Sequence, residues 1–415
     1  MTATLSAADA LHRVMATAEG WADPYPLYRR VLEQPDMQRS ERDDLWYAFR
    51  HRTCRQLLQD NRLGHDSTRP LRRPGLGEVR SPALREHLER RRRRGSSMLM
   101  ANPPDHTRLR GLVNRAFTPR RVAGLGERIT ELVDQHLDRI AEKGSADVIA
   151  DLALPLPVCV ISELVGVPEE YRDLFRPLFL DSRLEGGREP SDDQVREIDA
   201  ASEVRDGFFR TLIAQRRADP RDDMLSALVA VRDEDDGRLS ETELMGTVFL
   251  LYFAGFVTTT NLIGNGLLAL FRHPGEMRRL WTDGNLVPSA VEEMLRHDSP
   301  VQFVTREVLE PAEVDSITLA PGDAVVAMLG AANRDPERFP EPDRFDVGRS
   351  DNQPLSFGAG IHFCLGAPLA RLEAQVVFGR LRERFAGLEP LVDEPPRATG
   401  FLRGVQSLPV RVRAR

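Results

Sequence analysis

One loop constrains this chain of 415 residues more than any other part of its sequence. Residues 357–366, FGAGIHFCLG, place the thiol of Cys364 in a glycine-rich segment that leads directly into a helical run from 367 to 385. Glycine permits positive φ and lets the backbone approach a flat cofactor closely. The first amides of the following helix favour a negatively charged sulfur. A lone cysteine is usually a small buried apolar residue, but this spacing favours a thiolate that ligates iron.

The spacing Phe-Gly-x-Gly-x-His-x-Cys-x-Gly resembles the haem-binding loop of cytochromes P450. The resemblance implies that Cys364 is the proximal ligand of the iron of haem b, where electron donation from the thiolate favours O–O cleavage. It also implies that Phe357 shields the sulfur and that His362 reaches a haem propionate. Room for the loop and the ring is left by the glycines Gly358, Gly360 and Gly366.

The resemblance extends from about Asp23 to the C-terminus, and it implies a mainly α fold with a small β portion. We therefore expect a single domain over residues 23–415, preceded by an N-terminal extension over residues 1–22. Helical periodicity is found at 107–117, 126–143, 156–164 and 194–217. Ser240 and Glu243 form a capping-box start for a long helix to about Arg272. Residues 301–326 are strand-like, and residues 404–412 predict a strand pair with its turn.

Composition narrows the class of protein. The chain is 41% hydrophobic and 29% charged, and its net charge of −7 argues against nucleic-acid binding. Three cysteines give neither a disulfide framework nor zinc-site spacing. No signal peptide is recognised at the start of the chain, and the longest apolar stretch, 247–257, is too short to cross a bilayer. We expect a cytoplasmic protein that does not bind membranes, similar to bacterial P450s.

Glu293 and Arg296 lie three residues apart, which puts both on one face of a helix. By itself this is the pattern of an ordinary surface ion pair. The later segment Pro342-Asp343-Arg344-Phe345 completes an order that resembles the Glu-x-x-Arg helix and the following arginine of P450s. The resemblance implies a buried structural triad of Glu293, Arg296 and Arg344 behind the cysteine loop.

His106 and Arg110 lie four residues apart at the start of a predicted helix, for which Asp105 is a plausible N-cap. Two donors on one helical face suit a carboxylate, although a solvated basic helix start has the same pattern. The segment resembles the P450 helix that binds the haem propionates, and Arg306 occupies another such position. With His362, these residues are enough to bind both haem carboxylates.

The middle of the long helix, AGFVT at 254–258, resembles the oxygen-binding groove of the P450 distal helix. The resemblance implies that Ala254 and Gly255 leave room for dioxygen, and that Thr258 hydrogen-bonds it and helps to deliver protons. A threonine within a helix otherwise bonds back to its own backbone.

The family pattern has an acid where this chain has Val257, which carries no exchangeable proton. Three explanations stay open. A substrate group or a water chain replaces the acid, another side chain supplies the protons, or the enzyme diverts toward desaturation, coupling or peroxide-linked chemistry.

By resemblance, the substrate pocket is formed by the loop before His106, the region 174–210, Phe256 and Val257 of the distal helix, and the C-terminal turn near Phe401. The first of these carries arginines at 69, 72, 73, 80 and 85 and at every position from 90 to 94. A solvated helix end explains such a run. A basic entrance that steers an anionic substrate, or a substrate tethered to an acidic carrier protein, explains it as well.

The chain has no Gly-x-Gly-x-x-Gly fingerprint after a strand and no cysteine set for an iron–sulfur cluster. We therefore expect electrons from NAD(P)H to arrive through an external ferredoxin and ferredoxin reductase, with Arg371 as a candidate docking residue. The resemblance implies a monooxygenase that uses O2 and two electrons to hydroxylate or epoxidise a small organic molecule in bacterial secondary metabolism. One alternative is a P450 of atypical chemistry, such as oxidative coupling, desaturation or a peroxide-driven reaction. The other is a haem-thiolate protein that binds or senses a ligand without turnover.

Overall fold

A computed structural model describes residues 7–66, 72–73, 77–79, 81–93, 97–175, 190–234, 239–398 and 401–415. Within these ranges the fold is mainly helical with a small β portion, as the sequence predicts. The α-helices are α1 (Ala7–Ala16), α2 (Ala18–Ala22), α3 (Tyr25–Val31), α4 (His51–Gln59), α5 (Pro82–Arg93), α6 (Asp105–Ala116), α7 (Pro119–Ala123), α8 (Gly126–Lys143), α9 (Pro155–Val165), α10 (Asp192–Ala218), α11 (Met224–Glu234), α12 (Glu241–Arg272), α13 (Pro274–Thr282), α14 (Val287–His297), α15 (Leu329–Ala332) and α16 (Ala367–Arg384).

Short strands lie between the helices. They are β1 (Met37–Ser40), β2 (Leu45–Ala48), β3 (Leu63–Gly64), β4 (Arg72–Arg73), β5 (Gly77–Glu78), β6 (Ser145–Asp147), β7 (Val304–Val308), β8 (Ala312–Val314), β9 (Ile317–Leu319), β10 (Ala324–Ala327), β11 (Phe385–Pro390), β12 (Arg397–Ala398), β13 (Gly404–Val405) and β14 (Pro409–Ala414). A π-helical turn, Ile149–Ala153, precedes α9, and 3-10 turns occur at Glu169–Phe175, Gly284–Leu286 and Gly360–His362.

The long helix α12 begins where its capping signal predicts. The Ser240 side chain accepts a hydrogen bond from the Glu243 N–H at 3.1 Å, and the Glu243 carboxylate accepts one from the Ser240 N–H at 2.8 Å. The helix ends at Arg272, just before Pro274, which cannot donate a backbone hydrogen bond. Asp105 does not cap α6 as predicted. It is the first residue of that helix, it follows Pro104 at the N-cap, and its carboxylate accepts a hydrogen bond from Arg108.

The strands form one five-stranded sheet and several small ones. The order of the larger sheet is β1-β2-β10-β7-β3, in which β2 and β10 are parallel and the other pairs are antiparallel. The predicted strand pair within residues 404–412 is wrong. Strand β13 pairs with β12, whereas β14 lies between β11 and β6. Strand β13 pairs with the segment just before it, and β14 pairs with strands outside 404–412, which a local pattern of alternation cannot show.

Residues 7–22 are not separate from the rest of the fold. Leu11, Val14 and Trp21 are buried in one apolar cluster with Tyr47 of β2 and Val326 of β10. The guanidinium group of Arg403 donates to the carbonyl oxygens of Trp21 and Ala22. The predicted boundary after residue 22 is therefore not visible as a structural division, because the described residues before it are part of the same core.

Helix α12 lies in the centre of the main apolar core. Among the described residues it is the one helix that is long and apolar enough to cross a membrane, but 61% of its most apolar stretch is buried inside the fold. Its burial is that of a core helix, with α9, α14 and α16 packed around it. This position brings the middle of α12 into the interior of the protein.

Candidate active site

The shape of the cysteine loop depends on two glycines. Gly358 and Gly360 have φ of +72° and +69°, a region that other residues disfavour. At Gly360 a Cβ atom would also overlap the carbonyl oxygen of Leu58 in α4. The Cys364 N–H donates to the Phe357 carbonyl at 3.0 Å and closes the loop. The loop is thus held against α4, and it presents Cys364 at the start of α16.

The thiol of Cys364 is accessible from one side and surrounded by protein on the others. This burial raises its pKa above the usual value for cysteine. The backbone N–H groups of Gly366 and Ala367, and the guanidinium groups of Arg110 and Arg371, lie near the sulfur and offset part of the effect. These groups and a bound cation act in the same direction, because each of them favours the thiolate. A ligated iron ion has this effect.

Phe357 lies under a charged side chain. The Arg371 guanidinium is 4.5 Å from the centroid of the Phe357 ring, a distance typical of a cation–π contact. Arg371 also donates to Glu292 of α14 at 3.0 Å. The candidate docking residue is therefore already engaged within the fold. Shielding of the sulfur by Phe357 stays a prediction.

Three histidines meet beside the cysteine loop. The ring centroids of His106 and His362 are 4.4 Å apart, and those of His65 and His362 are 5.5 Å apart. His106 is buried, and the Nε2 atoms of both His65 and His106 are buried without a hydrogen-bond partner among the described residues. Among the residues that the structure describes, no group of three or more His, Cys, Asp or Glu side chains is arranged to hold a metal ion by itself. The buried Nε2 atoms of His65 and His106 can therefore donate to an acceptor beside the cysteine loop.

Two arginines complete this cluster. Arg306 is buried and donates to its neighbour's carbonyl, that of Thr305, at 2.9 Å. Arg110 is half-buried and donates to the Phe363 carbonyl of the cysteine loop at 2.8 Å. The sequence predicted four members of this cluster correctly as neighbours, namely His106, Arg110, Arg306 and His362.

The electrostatics of the cluster favour an anion. Burial and the Arg306 charge lower the pKa of His65 to about 4, and burial, Arg306 and the other two histidines lower that of His362 to about 3. Burial, with Arg110 and Arg306, also lowers the pKa of His106. Burial lowers the pKa of Arg306 to about 10, an effect that Glu307 partly offsets. A pair of carboxylates would reverse these shifts, because each positive form would gain a partner. The cluster therefore fits the two propionates of a haem.

In the distal helix α12, the predicted pair Ala254 and Gly255 serves two purposes. Ala254 is exposed to an open face of the helix, as expected for a residue that leaves room for a ligand. A Cβ atom at Gly255 would lie 2.7 Å from a side-chain carbon of Ile161 in α9. The assignment of Gly255 to an oxygen-binding groove stays a prediction. Its missing side chain allows α9 to pack closely against α12.

Thr258 lies on the same side of α12 as Ala254, one turn later. Its hydroxyl is 3.4 Å from the Ala254 carbonyl, which is a long hydrogen bond. By comparison, Thr260 bonds back to the Phe256 carbonyl at 2.9 Å. Thr258 is also only partly buried. Its hydroxyl is consequently free to turn toward a ligand at little cost, whereas that of Thr260 is committed to the backbone.

The three residues predicted to line the substrate pocket have different surroundings. Phe256 is fully buried, with its ring edge against Tyr252 and Phe253, and Val257 is also buried in the main core. Both therefore contribute to packing in this structure. Phe401 is half exposed in the C-terminal turn, 6.2 Å from the Phe303 ring. A role for these residues in substrate binding stays a prediction.

The predicted triad is correct in two of its three members. The Glu293 and Arg296 side chains are fully buried and share two hydrogen bonds, at 2.7 and 2.8 Å. Arg344 is wrong as the third member, since its side chain is 55% exposed and pairs with Glu341. Arg349 takes its place, with its Nε atom 3.2 Å from the Glu293 carboxylate. Arg344 contributes only its carbonyl oxygen, which accepts from both Arg296 and Arg349.

The arginine run is only partly described. Positions 69, 80 and 94 lie outside the described residues, and the side chains at 72, 73 and 91–93 are likewise not described. Arg90 forms ion pairs with Glu86, at 2.6 Å, and with Asp199 of α10. His87 also contacts Asp199, at 2.7 Å. One described arginine of the run thus joins α5 to α10 rather than standing free at an entrance.

Sequence reasoning missed His65, Arg349 and Asn352. His65 follows the two-residue strand β3. Its separation from His106 along the chain matches neither a helical nor a strand repeat, so no sequence pattern connects the two residues. Asn352 donates to Glu293 at 3.0 Å beside Arg349. Several arginines occur between 334 and 349, and the motif around Arg344 directed the assignment to the wrong one.

Comparisons with known proteins identify the family to which the chain belongs. The family model described as cytochrome P450 matches residues 191–412. Cytochrome P450 monooxygenase PikC from Streptomyces venezuelae is 41% identical over 94% of this chain and 92% of its own length. Polyketide biosynthesis cytochrome P450 PksS from Bacillus subtilis is 37% identical over 94% of this chain and 95% of its own.

A solved structure gives the same answer for the fold. P450BioI in complex with an acyl carrier protein ligated to hexadec-9Z-enoic acid superimposes with a TM-score of 0.85 at 34% identity, covering 95% of this chain and 100% of that one. The relatives match this chain along nearly its whole length, and its thiol lies in a glycine-rich loop next to a cluster of polar donors. These observations together identify the family. The chain belongs to the cytochrome P450 family, whose members bind haem iron, and it is an oxidoreductase of the monooxygenase type.

Proposed function

We propose that this P450 hydroxylates or epoxidises a small organic molecule in bacterial secondary metabolism, in the cytoplasm. The observation that carries the proposal is the Cys364 thiol, which is accessible at the start of α16 and lies close to the backbone amides of Gly366 and Ala367. When bound, a haem with a thiolate ligand supplies the activation of O2 with two electrons. The relative named for polyketide biosynthesis supports the type of pathway.

The chain's own residues provide for the cofactor. Cys364 would hold the iron, and the amides of Gly366 and Ala367 would stabilise the charge on its sulfur. His106, Arg110, Arg306 and His362 would bind the two carboxylates, which satisfies the buried Nε2 atom of His106. A buried polar atom without a partner costs stability, so the cluster is better satisfied with the cofactor than without it.

Proton delivery would depend on Thr258. Its hydroxyl can leave the long bond to the Ala254 carbonyl and donate to a ligand held above Ala254. A threonine hydroxyl both donates and accepts, so it can pass a proton that it receives from water or from a substrate group. Val257 cannot supply that proton, because its side chain is apolar and buried.

Val257 also supports a second candidate function. A P450 that lacks the usual acid would be slowed in proton delivery, which favours reactions such as oxidative coupling, desaturation or peroxide-driven oxidation. The two candidates differ in their products and in their oxidant. Product analysis with an NADH-driven redox chain and, separately, with hydrogen peroxide distinguishes them. Ligand binding without product in either assay would indicate a sensor instead.

Electrons from NAD(P)H would arrive through a ferredoxin and its reductase. The substrate would be either free or tethered to a carrier protein. Tethering is supported by the structural similarity to P450BioI, which was solved with a ligated acyl carrier protein. Spin-state titrations with free compounds and with the same compounds on carrier proteins separate the two modes of delivery.

The experiment that tests the proposed site is the carbon monoxide difference spectrum of the reduced protein. The wild type should give the red-shifted Soret band of a thiolate-ligated haem. The Cys364→Ser variant should lose that band, because the hydroxyl is a much weaker donor than the thiolate. An unchanged Soret position in the variant would show that another group ligates the iron, and the proposal would then be wrong.

A further inference from the structure

We propose that His65 is a haem-binding residue that donates from Nε2 to a propionate carboxylate, and that Asn102 is the residue that positions it. The proposal rests on the proposed function, since it needs a haem with free carboxylates. It concerns a residue on a different segment from the four donors that the sequence identified.

The position of His65 follows from the sheet. Strand β3 pairs with β7 such that Leu63 lies opposite Val308 and Gly64 lies opposite Glu307. His65 is the next residue, so it leaves the sheet beside the strand that carries Arg306. Its ring meets His362 at a centroid distance of 5.5 Å, with the two planes at 80°. Packing alone would not require a histidine here, because a phenylalanine ring makes the same edge contact.

The backbone of His65 is fixed on both sides by one side chain. The His65 N–H donates to the Asn102 amide oxygen at 2.9 Å, and the Asn102 amide nitrogen donates to the His65 carbonyl at 2.7 Å. The backbone carbonyl of Asn102 also accepts a hydrogen bond from the His106 N–H, at 2.9 Å. One asparagine thus connects two of the three histidines and sets their relative position.

Gly64 makes this arrangement possible. A Cβ atom at that position would overlap the Asn102 amide oxygen, and it would lie 2.8 Å from a side-chain carbon of Leu309. Glycine lets the asparagine side chain lie flat against the strand. Gly64 and Asn102 are therefore both needed to place the His65 imidazole.

The His65 ring nitrogen then has no other use in the described structure. Its Nε2 atom is buried and lacks a hydrogen-bond partner among the described residues, as does that of His106. Both atoms belong to a cluster that also contains Arg110 and Arg306, and burial destabilises the charged forms of these groups, which lowers their pKa values. An acceptor with two carboxylates satisfies both nitrogens, and a haem presents such a pair.

The test is the rate at which the ferric holo-protein loses haem to excess apomyoglobin at neutral pH. The His65→Phe variant keeps the ring and its edge contact but removes the donor. Loss of one hydrogen bond to a charged group should accelerate haem loss by about 10-fold. The His65→Gln variant keeps a donor and should stay within about twofold of the wild type. The matched control is His136→Phe, which replaces a buried histidine on α8 outside the cluster and should leave the rate unchanged.

Haem dimethyl ester separates hydrogen bonding from packing. In protein reconstituted with this ester, whose carboxylates are blocked, wild type and His65→Phe should lose the cofactor at equal rates. The Asn102→Ala variant, with native haem, should resemble His65→Phe, and it serves as the test if His65→Phe does not accumulate as holo-protein.

Two results would overturn the inference. One is haem loss from His65→Phe at the wild-type rate. The other is equal acceleration in His65→Phe and His65→Gln, which would make the ring a packing group. Failure of the underlying function is distinguishable, because a wild type without a thiolate Soret band would show that the chain does not hold haem through Cys364.

Discussion

In the ion-pair network around Glu293, the sequence motif indicates Arg344 as the second cation, whereas the structure shows Arg349. Replacing Arg349 by alanine removes the second cation from a carboxylate that is fully buried, and Arg349 itself is only 12% exposed. Replacing Arg344, the residue that the motif indicated, removes a side chain that is 55% exposed and bound to an exposed glutamate. Both variants replace an arginine by alanine, at positions five residues apart, so each is a matched control for the other.

The expected magnitudes differ clearly. Removing one partner of a buried ion pair costs about 3–5 kcal/mol. In the Arg349→Ala variant, the Glu293 carboxylate still accepts hydrogen bonds from Arg296, the Asp346 N–H and the Asn352 amide. We therefore expect a destabilisation at the lower end of this range, about 3 kcal/mol. Arg344→Ala should change the free energy of unfolding by no more than about 0.5 kcal/mol.

Urea unfolding followed by far-ultraviolet circular dichroism measures the difference, provided that both variants share the wild-type slope. Thermal unfolding gives a second estimate. An unfolding entropy of about 2.1 cal/mol/K per residue over 415 residues makes 3 kcal/mol equal to a decrease of about 3 °C in Tm. Equal destabilisation by the two variants, or a larger effect of Arg344→Ala, would refute the assignment of Arg349 to the buried network.

Two further predictions concern α12 and α16. Thr258→Ala should lower the fraction of NADH consumption coupled to product by about 10-fold while Thr258→Ser retains most of it, because general acid–base groups contribute at least that much. Full coupling in the alanine variant would remove Thr258 from proton delivery. Glu373 is buried without polar contacts for Oε2 among the described residues, and burial raises its pKa well above the usual 4.5. The folded state therefore holds this proton more tightly than the unfolded state, and stability falls as pH rises above about 4.5. Glu373→Gln mimics the protonated form, so its Tm should exceed that of the wild type at pH 8 and match it near pH 4. The same offset at both pH values would contradict this assignment.

The sequence predicts those parts of the fold whose signals are local. The capping box at Ser240 marks the start of α12, and residues 126–143 form α8 with the predicted bounds. The glycine spacing around Cys364 likewise predicts the thiol loop, since both the loop and its first helical turn are encoded within a few residues. In each case the interaction that fixes the element joins residues that are close along the chain.

The remaining features depend on residues far apart in sequence. Gly255 has the residue type expected of an oxygen groove, but only the packing of α9 on α12 shows that its missing Cβ accommodates Ile161. Arg349 and Arg344 are equivalent by composition, and the loop that buries one and exposes the other has no periodicity. His65 depends on the pairing of β3 with β7 and on the side chain of Asn102. Such long-range register is not legible in a single sequence.

The hydrogen bonds from Arg403 to Trp21 and Ala22 have a consequence for how the protein is made. The donor and its acceptors are separated by 382 and 381 residues. A chain emerging from the ribosome N-terminus first cannot complete this contact until residue 403 has been translated. Residues 7–22, including Leu11, Val14 and Trp21, therefore lack this contact while the chain up to residue 403 is synthesised. Contact between residues 7–22 and Arg403 is therefore a late event in folding, and Arg403→Ala should leave Trp21 and Ala22 without this anchor.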